Sequence, residues 1–100
     1  MLFRSDPIDA ETAYRYGLVN ALTEPGQALA EAKRLAQRII ANAPLSVAAS
    51  KRVIVEQRDW SVADMFTHQQ AITGPVLASE DAREGAAAFA EKRSPVWKGR

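Results

Sequence analysis

Apolar residues recur along most of this chain at the spacing of a helix rather than that of a strand. The clearest run covers residues 26–41, where alanine, leucine and isoleucine return every three or four positions and charged side chains lie opposite. Proline costs nothing in the first turn of a helix, because its missing N–H would have no partner there. The pattern therefore predicts a helix that starts at residues 23–25 and is broken at residues 42–44.

Capping residues and helix breakers predict two further helices in the first 60 residues. Asp9 precedes residues 10–16, where its carboxylate can accept a free amide of the first turn, and Gly17 follows as a terminator. A helix is also expected over residues 44–57. Residues 53–55 (Val-Ile-Val) would suit a strand, but the alanine-rich approach favours a helix.

The second half of the chain predicts two more helices, which makes the fold all-α. Ser61 and Asp64 form a capping-box pattern, and the interruption at residues 74–75 (Gly-Pro) predicts a kink or an early end. A fifth helix is expected to open at residues 79–81 and to close at residues 92–93. Four or five helices without a sheet would form a single domain over residues 1–100. The apolar stripe of the fourth helix comprises Val62, Met65, Phe66, Gln69, Thr73 and Val76.

Composition shows that this helical chain has little material for a core. Hydrophobic residues make up 47% of it, but 19 of them are alanine, and Leu, Ile, Val and Phe together number only 22. Small domains already bury a modest share of their surface. We therefore expect marginal stability or self-association, with exposed apolar stripes seeking a partner.

The same composition excludes several classes of function. The absence of cysteine excludes disulfides and thiolate chemistry, and the single histidine, His68, has no nucleophile or carboxylate placed to pair with it. We expect no metal site, and a partly buried or surface role for His68. A net charge of +1 argues against a nucleic-acid partner. Without a signal peptide or a long apolar run, a soluble, cytoplasmic protein without membrane contact is expected.

Three motifs in order carry more information than any single residue. Residues 7–20 place an alanine-containing helix before Gly-Leu-Val-Asn, and residues 41–45 read Ala-Asn-Ala-Pro-Leu. Residues 79–85 read Ser-Glu-Asp-Ala-Arg-Glu-Gly, and residues 88–97 read Ala-Phe-Ala-Glu-Lys-Arg-Ser-Pro-Val-Trp. Together they resemble the C-terminal helical part of the enoyl-CoA hydratase/isomerase (crotonase) superfamily.

This resemblance implies that the catalytic machinery lies outside the chain. In the family, an N-terminal spiral domain supplies the oxyanion hole and the acid/base carboxylates, and nothing here resembles that domain. No catalytic residue can be assigned, and the chain alone is expected to be inactive. Residues 1–3 (Met-Leu-Phe) resemble the end of a preceding helix.

The resemblance also implies a function for the longer protein. The expected reaction is addition of water to 2-enoyl-CoA thioesters in fatty acid metabolism, with the CoA thioester as substrate and no further cofactor. The helices would contribute to the CoA pocket and to the interface of a homo-oligomer, a trimer or hexamer in the family. One alternative is a free-standing helical interaction module without catalysis. A small helical nucleic-acid binder is the other, and the balanced charge disfavours it.

Phe89 and Lys92 are the candidate binding residues that the resemblance implies. The matching residues of the family lie at the CoA end of the pocket, the ammonium group near the nucleotide phosphate and the ring against the adenine. A spacing of three residues would place both on one face of the fifth helix. Each residue also has a simpler alternative role that does not involve a ligand. Phe89 would be an ordinary core residue, and Lys92 would only offset the helix dipole.

Overall fold

The all-α fold class is confirmed. The computed structural model describes residues 6–100, and within that range it contains α-helices, one short 3₁₀ turn at Gln57–Asp59 and no strand. The interpretation of residues 1–3 as the end of a helix lies outside the described residues. The helices are α1 (Ala10–Arg15), α2 (Ala28–Ile40), α3 (Pro44–Glu56), α4 (Met65–Leu77) and α5 (Glu80–Ala90).

The chain divides into two compact units, Met1–Ala36 and Gln37–Arg100. In the first unit, α1 has the predicted start, because the Asp9 carboxylate accepts the Thr12 N–H at 2.7 Å. It ends in a Schellman motif, in which Gly17 (φ +71°) donates its N–H to the carbonyl of Tyr14. The predicted boundaries of this helix are correct to within one residue.

The predicted start of α2 at residues 23–25 is wrong, since the helix begins at Ala28. The Gln27 N–H donates to the Glu24 carbonyl at 3.0 Å, and Gly26 between them has a φ of +83°. A proline followed by a left-handed glycine is the signature of a type II turn. The Pro-Gly pair therefore makes a separate turn before the helix instead of its first residues.

In the second unit, α3 packs against α4, and α4 packs against α5. Pro44 occupies the first helical position of α3, and the segment at residues 53–55 is helical as expected. Ala49 is the buried residue of this helix. A small buried side chain at this point allows two helices to approach closely.

The fourth helix begins later than the pattern predicts and does not end early at its Gly-Pro interruption. The Ser61 hydroxyl donates to the Asp64 carboxylate at 2.8 Å, but this pair closes a turn, and the helix itself begins at Met65. The chain then remains helical through Pro75 to Leu77, so an early end at residues 74–75 is wrong. The stripe is only partly correct: Met65, Thr73 and Val76 are half-buried, whereas Val62 and Phe66 are exposed.

The buried core of the described residues is small, in line with the composition. It consists of the apolar Ala49 and Ala88, together with the carboxylate residue Asp81. None of the helices in the described range is long and apolar enough to cross a membrane. Large apolar side chains that remain exposed include Leu29, Ile40, Ile54, Phe66, Leu77 and Phe89.

Candidate functional site at the end of α5

The candidate residues Phe89 and Lys92 lie where α5 ends, and a turn rather than a helical face joins them. The helix stops at Ala90, two residues earlier than predicted, so Lys92 lies beyond it. The Lys92 N–H donates to the Phe89 carbonyl at 3.3 Å, and the Arg93 N–H donates to the Ala88 carbonyl at 3.0 Å. These two bonds form a Schellman motif with Lys92 in the position that glycine normally takes.

Lys92 is the one non-glycine residue with a positive φ among the described residues, at +53°. A side chain in this left-handed region is crowded by its own backbone, which costs roughly 1–2 kcal/mol. Within residues 6–100, its ammonium group has no hydrogen-bond or ion-pair partner. Lys92 therefore combines a strained backbone with a cation free to meet a ligand.

Phe89 is 88% exposed, so it is not part of the core of this chain. Burial of a phenylalanine side chain would stabilise the chain by about 1.5–3 kcal/mol, and an exposed ring does not contribute this free energy. Its simpler role as a core residue is therefore wrong for the described residues. The exposed ring is available to cover an aromatic base or a partner surface.

Arg93, the residue after Lys92, is anchored to the body of α5. Its guanidinium group pairs bidentately with the Glu84 carboxylate, at 2.9 Å for the Nη2–Oε2 contact, and its Nε contacts Glu91 at 2.6 Å. Glu84 also accepts the Val96 N–H at 2.8 Å. The hydrogen bonds from the Arg93 guanidinium group are the largest cause that lowers the pKa of the Glu84 carboxyl, and the bond from the Val96 N–H is the second. Together they lower this pKa to about 2.

A second carboxylate holds the residues after the turn against the start of α5. Asp81 is 2% exposed, and it accepts the backbone N–H groups of Lys98 at 2.7 Å and Gly99 at 2.9 Å. The indole N–H of Trp97 donates to the Ala41 carbonyl at 2.8 Å. The chain on both sides of the candidate site is therefore fixed by hydrogen bonds.

His68, for which a partly buried or surface role is expected, is exposed on α4. Its ring stacks on Trp60, with the ring centroids 5.3 Å apart and the planes inclined by 25°. The described residues also contain no cluster of three side chains able to hold a metal ion. Nothing in this arrangement supports a role for His68 as a general base.

Comparison with known proteins decides the family. The sequence model for the family described as Enoyl-CoA hydratase/isomerase matches residues 1–100, the whole of the chain. The chain belongs to the enoyl-CoA hydratase/isomerase family. This confirms the resemblance carried by the three motifs.

Solved structures and curated relatives agree with this membership. An enoyl-CoA hydratase from Mycobacterium marinum is 51% identical with a TM-score of 0.95, over 98% of this chain and 39% of that one. Another from Mycobacterium tuberculosis is 54% identical with a TM-score of 0.93, over 95% and 38%. A carnitinyl-CoA dehydratase from Salmonella arizonae is 41% identical over 99% of this chain and 40% of its own length. The chain thus spans about 40% of these family members.

Sequence reasoning missed the three side chains that fix the site. The position of Asp81 indicates only a helix-start charge, whereas its carboxylate is buried and accepts two backbone N–H groups. Nine positions separate Glu84 from Arg93, so no local spacing rule predicts that they pair. Their shared contact depends on the chain reversing at Lys92, and no local pattern signals a lysine in a left-handed conformation.

Proposed function

We propose that this chain is the C-terminal helical part of an enoyl-CoA hydratase, an enzyme that adds water to 2-enoyl-CoA thioesters. The observation that carries the proposal is identity above 50% to two solved proteins described as enoyl-CoA hydratases, against 41% to the carnitinyl-CoA dehydratase. Fold and family alone leave the reaction open, because one fold can host several chemistries. The substrate is an acyl-CoA, in fatty acid metabolism in the cytoplasm.

The helical part formed by this chain contributes to substrate binding and not to the chemical step. In the proposed enzyme the preceding part supplies the oxyanion hole and the acid/base carboxylates, so this chain alone is inactive. Removing one oxyanion-hole donor already costs about 10²–10³ in rate. The exposed apolar side chains of the helices meet that preceding part and the neighbouring copies of a homo-oligomer.

At the end of α5, Phe89 and Lys92 bind the nucleotide end of CoA. The exposed Phe89 ring covers the adenine, and the Lys92 ammonium group, which has no partner within residues 6–100, meets the 3′-phosphate. A ring face suits a base of any identity, and a compact cation suits a phosphate. A well-placed charged contact is worth about 1.5–3 kcal/mol, which corresponds to about tenfold or more in affinity.

The test compares CoA with 3′-dephospho-CoA, which lacks only the phosphate assigned to Lys92. In a full-length version of the protein, Lys92→Ala should weaken CoA binding about tenfold or more and leave 3′-dephospho-CoA binding almost unchanged. Lys51→Ala is the matched control. This substitution removes the same charge, but Lys51 lies on α3, outside the candidate site. Equal weakening of both ligands by Lys92→Ala, or of neither, would contradict the phosphate role.

The exposed apolar side chains also favour a second candidate, a helical interaction module without catalysis. Such a module would bind CoA and 3′-dephospho-CoA equally poorly, and neither Phe89→Ala nor Lys92→Ala would alter its binding. The same titration therefore separates the two candidates.

A further inference from the structure

We propose that Glu84 and Arg93 are positioning residues, which hold Lys92 in its left-handed conformation and so aim its ammonium group at the 3′-phosphate of CoA. This inference rests on the proposed function. The inference extends the proposed function by naming the residues of this chain that set its affinity for the phosphate.

The need for such a device follows from the backbone of Lys92. Both α1 and α5 end in the same pattern of hydrogen bonds, but α1 has Gly17 at the left-handed position. Glycine adopts that conformation without steric cost, whereas lysine does not. A strained residue persists only where surrounding contacts hold it in place.

Besides the bond from its own N–H to the Phe89 carbonyl, Lys92 is held by contacts of the residues that follow it. The Arg93 N–H closes the motif on the Ala88 carbonyl at 3.0 Å, while its guanidinium group pairs with Glu84 one turn further back on α5. Glu84 in turn accepts the Val96 N–H at 2.8 Å. The chain is therefore fixed both immediately after Lys92 and four residues after it.

The geometry of the Glu84–Arg93 pair explains why it can act as a fixed anchor. Two parallel contacts between a guanidinium group and a carboxylate set both distance and orientation, which a single contact does not. The pKa of about 2 keeps Glu84 ionised at neutral and at mildly acidic pH. Ordering Lys92 before the ligand arrives removes part of the entropy cost of binding.

The sign of one effect separates positioning from simple electrostatics. CoA is an anion, so removing a negative charge close to its site would strengthen binding if charge alone mattered. Loss of the anchor would weaken binding instead. Glu84→Gln therefore gives opposite results under the two interpretations.

The experiment titrates CoA and 3′-dephospho-CoA by calorimetry into a hybrid enzyme, in which residues 1–100 replace the matching segment of the Mycobacterium marinum enoyl-CoA hydratase. Glu84→Gln should weaken CoA binding about three- to tenfold and leave 3′-dephospho-CoA unchanged. Arg93→Lys, which keeps the charge but loses the bidentate geometry, should have the same effect. In a Lys92→Ala background, Glu84→Gln should have no further effect on either ligand.

Glu91→Gln is the matched control, because Glu91 also pairs with Arg93 but, unlike Glu84, accepts no backbone N–H from residues 94–100. It should leave CoA affinity unchanged or slightly raise it. The inference is overturned if Glu84→Gln and Arg93→Lys leave CoA binding unchanged or strengthen it, or if their effects persist without the Lys92 side chain. If the unsubstituted hybrid does not prefer CoA over 3′-dephospho-CoA, the proposed function is overturned instead.

Discussion

Replacing Lys92 by glycine should stabilise the chain, although the same change removes a proposed ligand contact. Relief of the left-handed strain at φ +53° is worth roughly 1–2 kcal/mol. Glycine also gives the unfolded chain more freedom, which takes back about 0.4–1 kcal/mol. The expected net gain in the free energy of unfolding is about 0.5–1 kcal/mol, since no side-chain hydrogen bond or ion pair of Lys92 is lost within the described residues.

Urea and thermal unfolding measure this gain. For a domain of this size, 1 kcal/mol shifts the melting temperature by roughly 4–8 °C. Lys92→Ala is the control, because it removes the same charge but keeps a Cβ in the left-handed position, and it should give no gain. Gly17→Ala makes the opposite change in the same motif, and it should destabilise α1, because nothing lies within 4 Å of the added Cβ to offset the strain.

Two results would refute this reasoning. One is a Lys92→Gly variant that is no more stable than the unsubstituted chain, which would mean that the backbone strain at this position is negligible. The other is an equal gain from Lys92→Ala, which would assign the effect to charge. If the strain is retained for binding, Lys92→Gly should be more stable and yet bind CoA less well, a trade that functional sites often show.

Three further predictions concern the contacts around the site. Asp81→Asn should lower the free energy of unfolding by about 1–3 kcal/mol in a urea titration, because it replaces one of the two carboxylate oxygens that accept backbone N–H groups with an NH₂ donor. The Glu84–Arg93 pair should contribute stability above pH 4.5, the ordinary pKa, and lose it as the pH falls towards about 2. An acid titration should show this loss of stability, and Glu84→Gln should abolish the share of the pH dependence that Glu84 causes. Trp97→Phe, which removes the bond to the Ala41 carbonyl, should cost about 1 kcal/mol by the same urea assay.

Local signals predicted most of the helices correctly. Asp9, Gly17 and Ser79 act through their own backbone neighbours, and each caps or ends a helix as its residue type indicates. The errors arose where two local signals competed. Pro25 can start a helix or occupy a turn, and the glycine after it, which accepts a positive φ, selects the turn.

The site was less predictable because its contacts are not local. The spacing of Phe89 and Lys92 suggested a helical face, whereas the structure joins them through the end of the helix. The burial of Asp81 depends on the chain returning over α5 some 17 residues later. Contacts between segments distant in sequence leave no periodic pattern, so only the folded structure reveals them.

The central claim, that this chain performs the role of the C-terminal helices of an enoyl-CoA hydratase, is tested most directly by a hybrid enzyme. In it, the matching segment of the Mycobacterium marinum enoyl-CoA hydratase, 51% identical to this chain, is replaced by residues 1–100. Hydration of crotonyl-CoA is then measured for the hybrid, for the hybrid with Lys92→Ala and for the chain alone. The account predicts turnover by the hybrid, a KM raised about tenfold by Lys92→Ala with little change in kcat, and no turnover by the chain alone. A folded hybrid that fails to hydrate crotonyl-CoA, or turnover that copurifies with the chain alone, would contradict it.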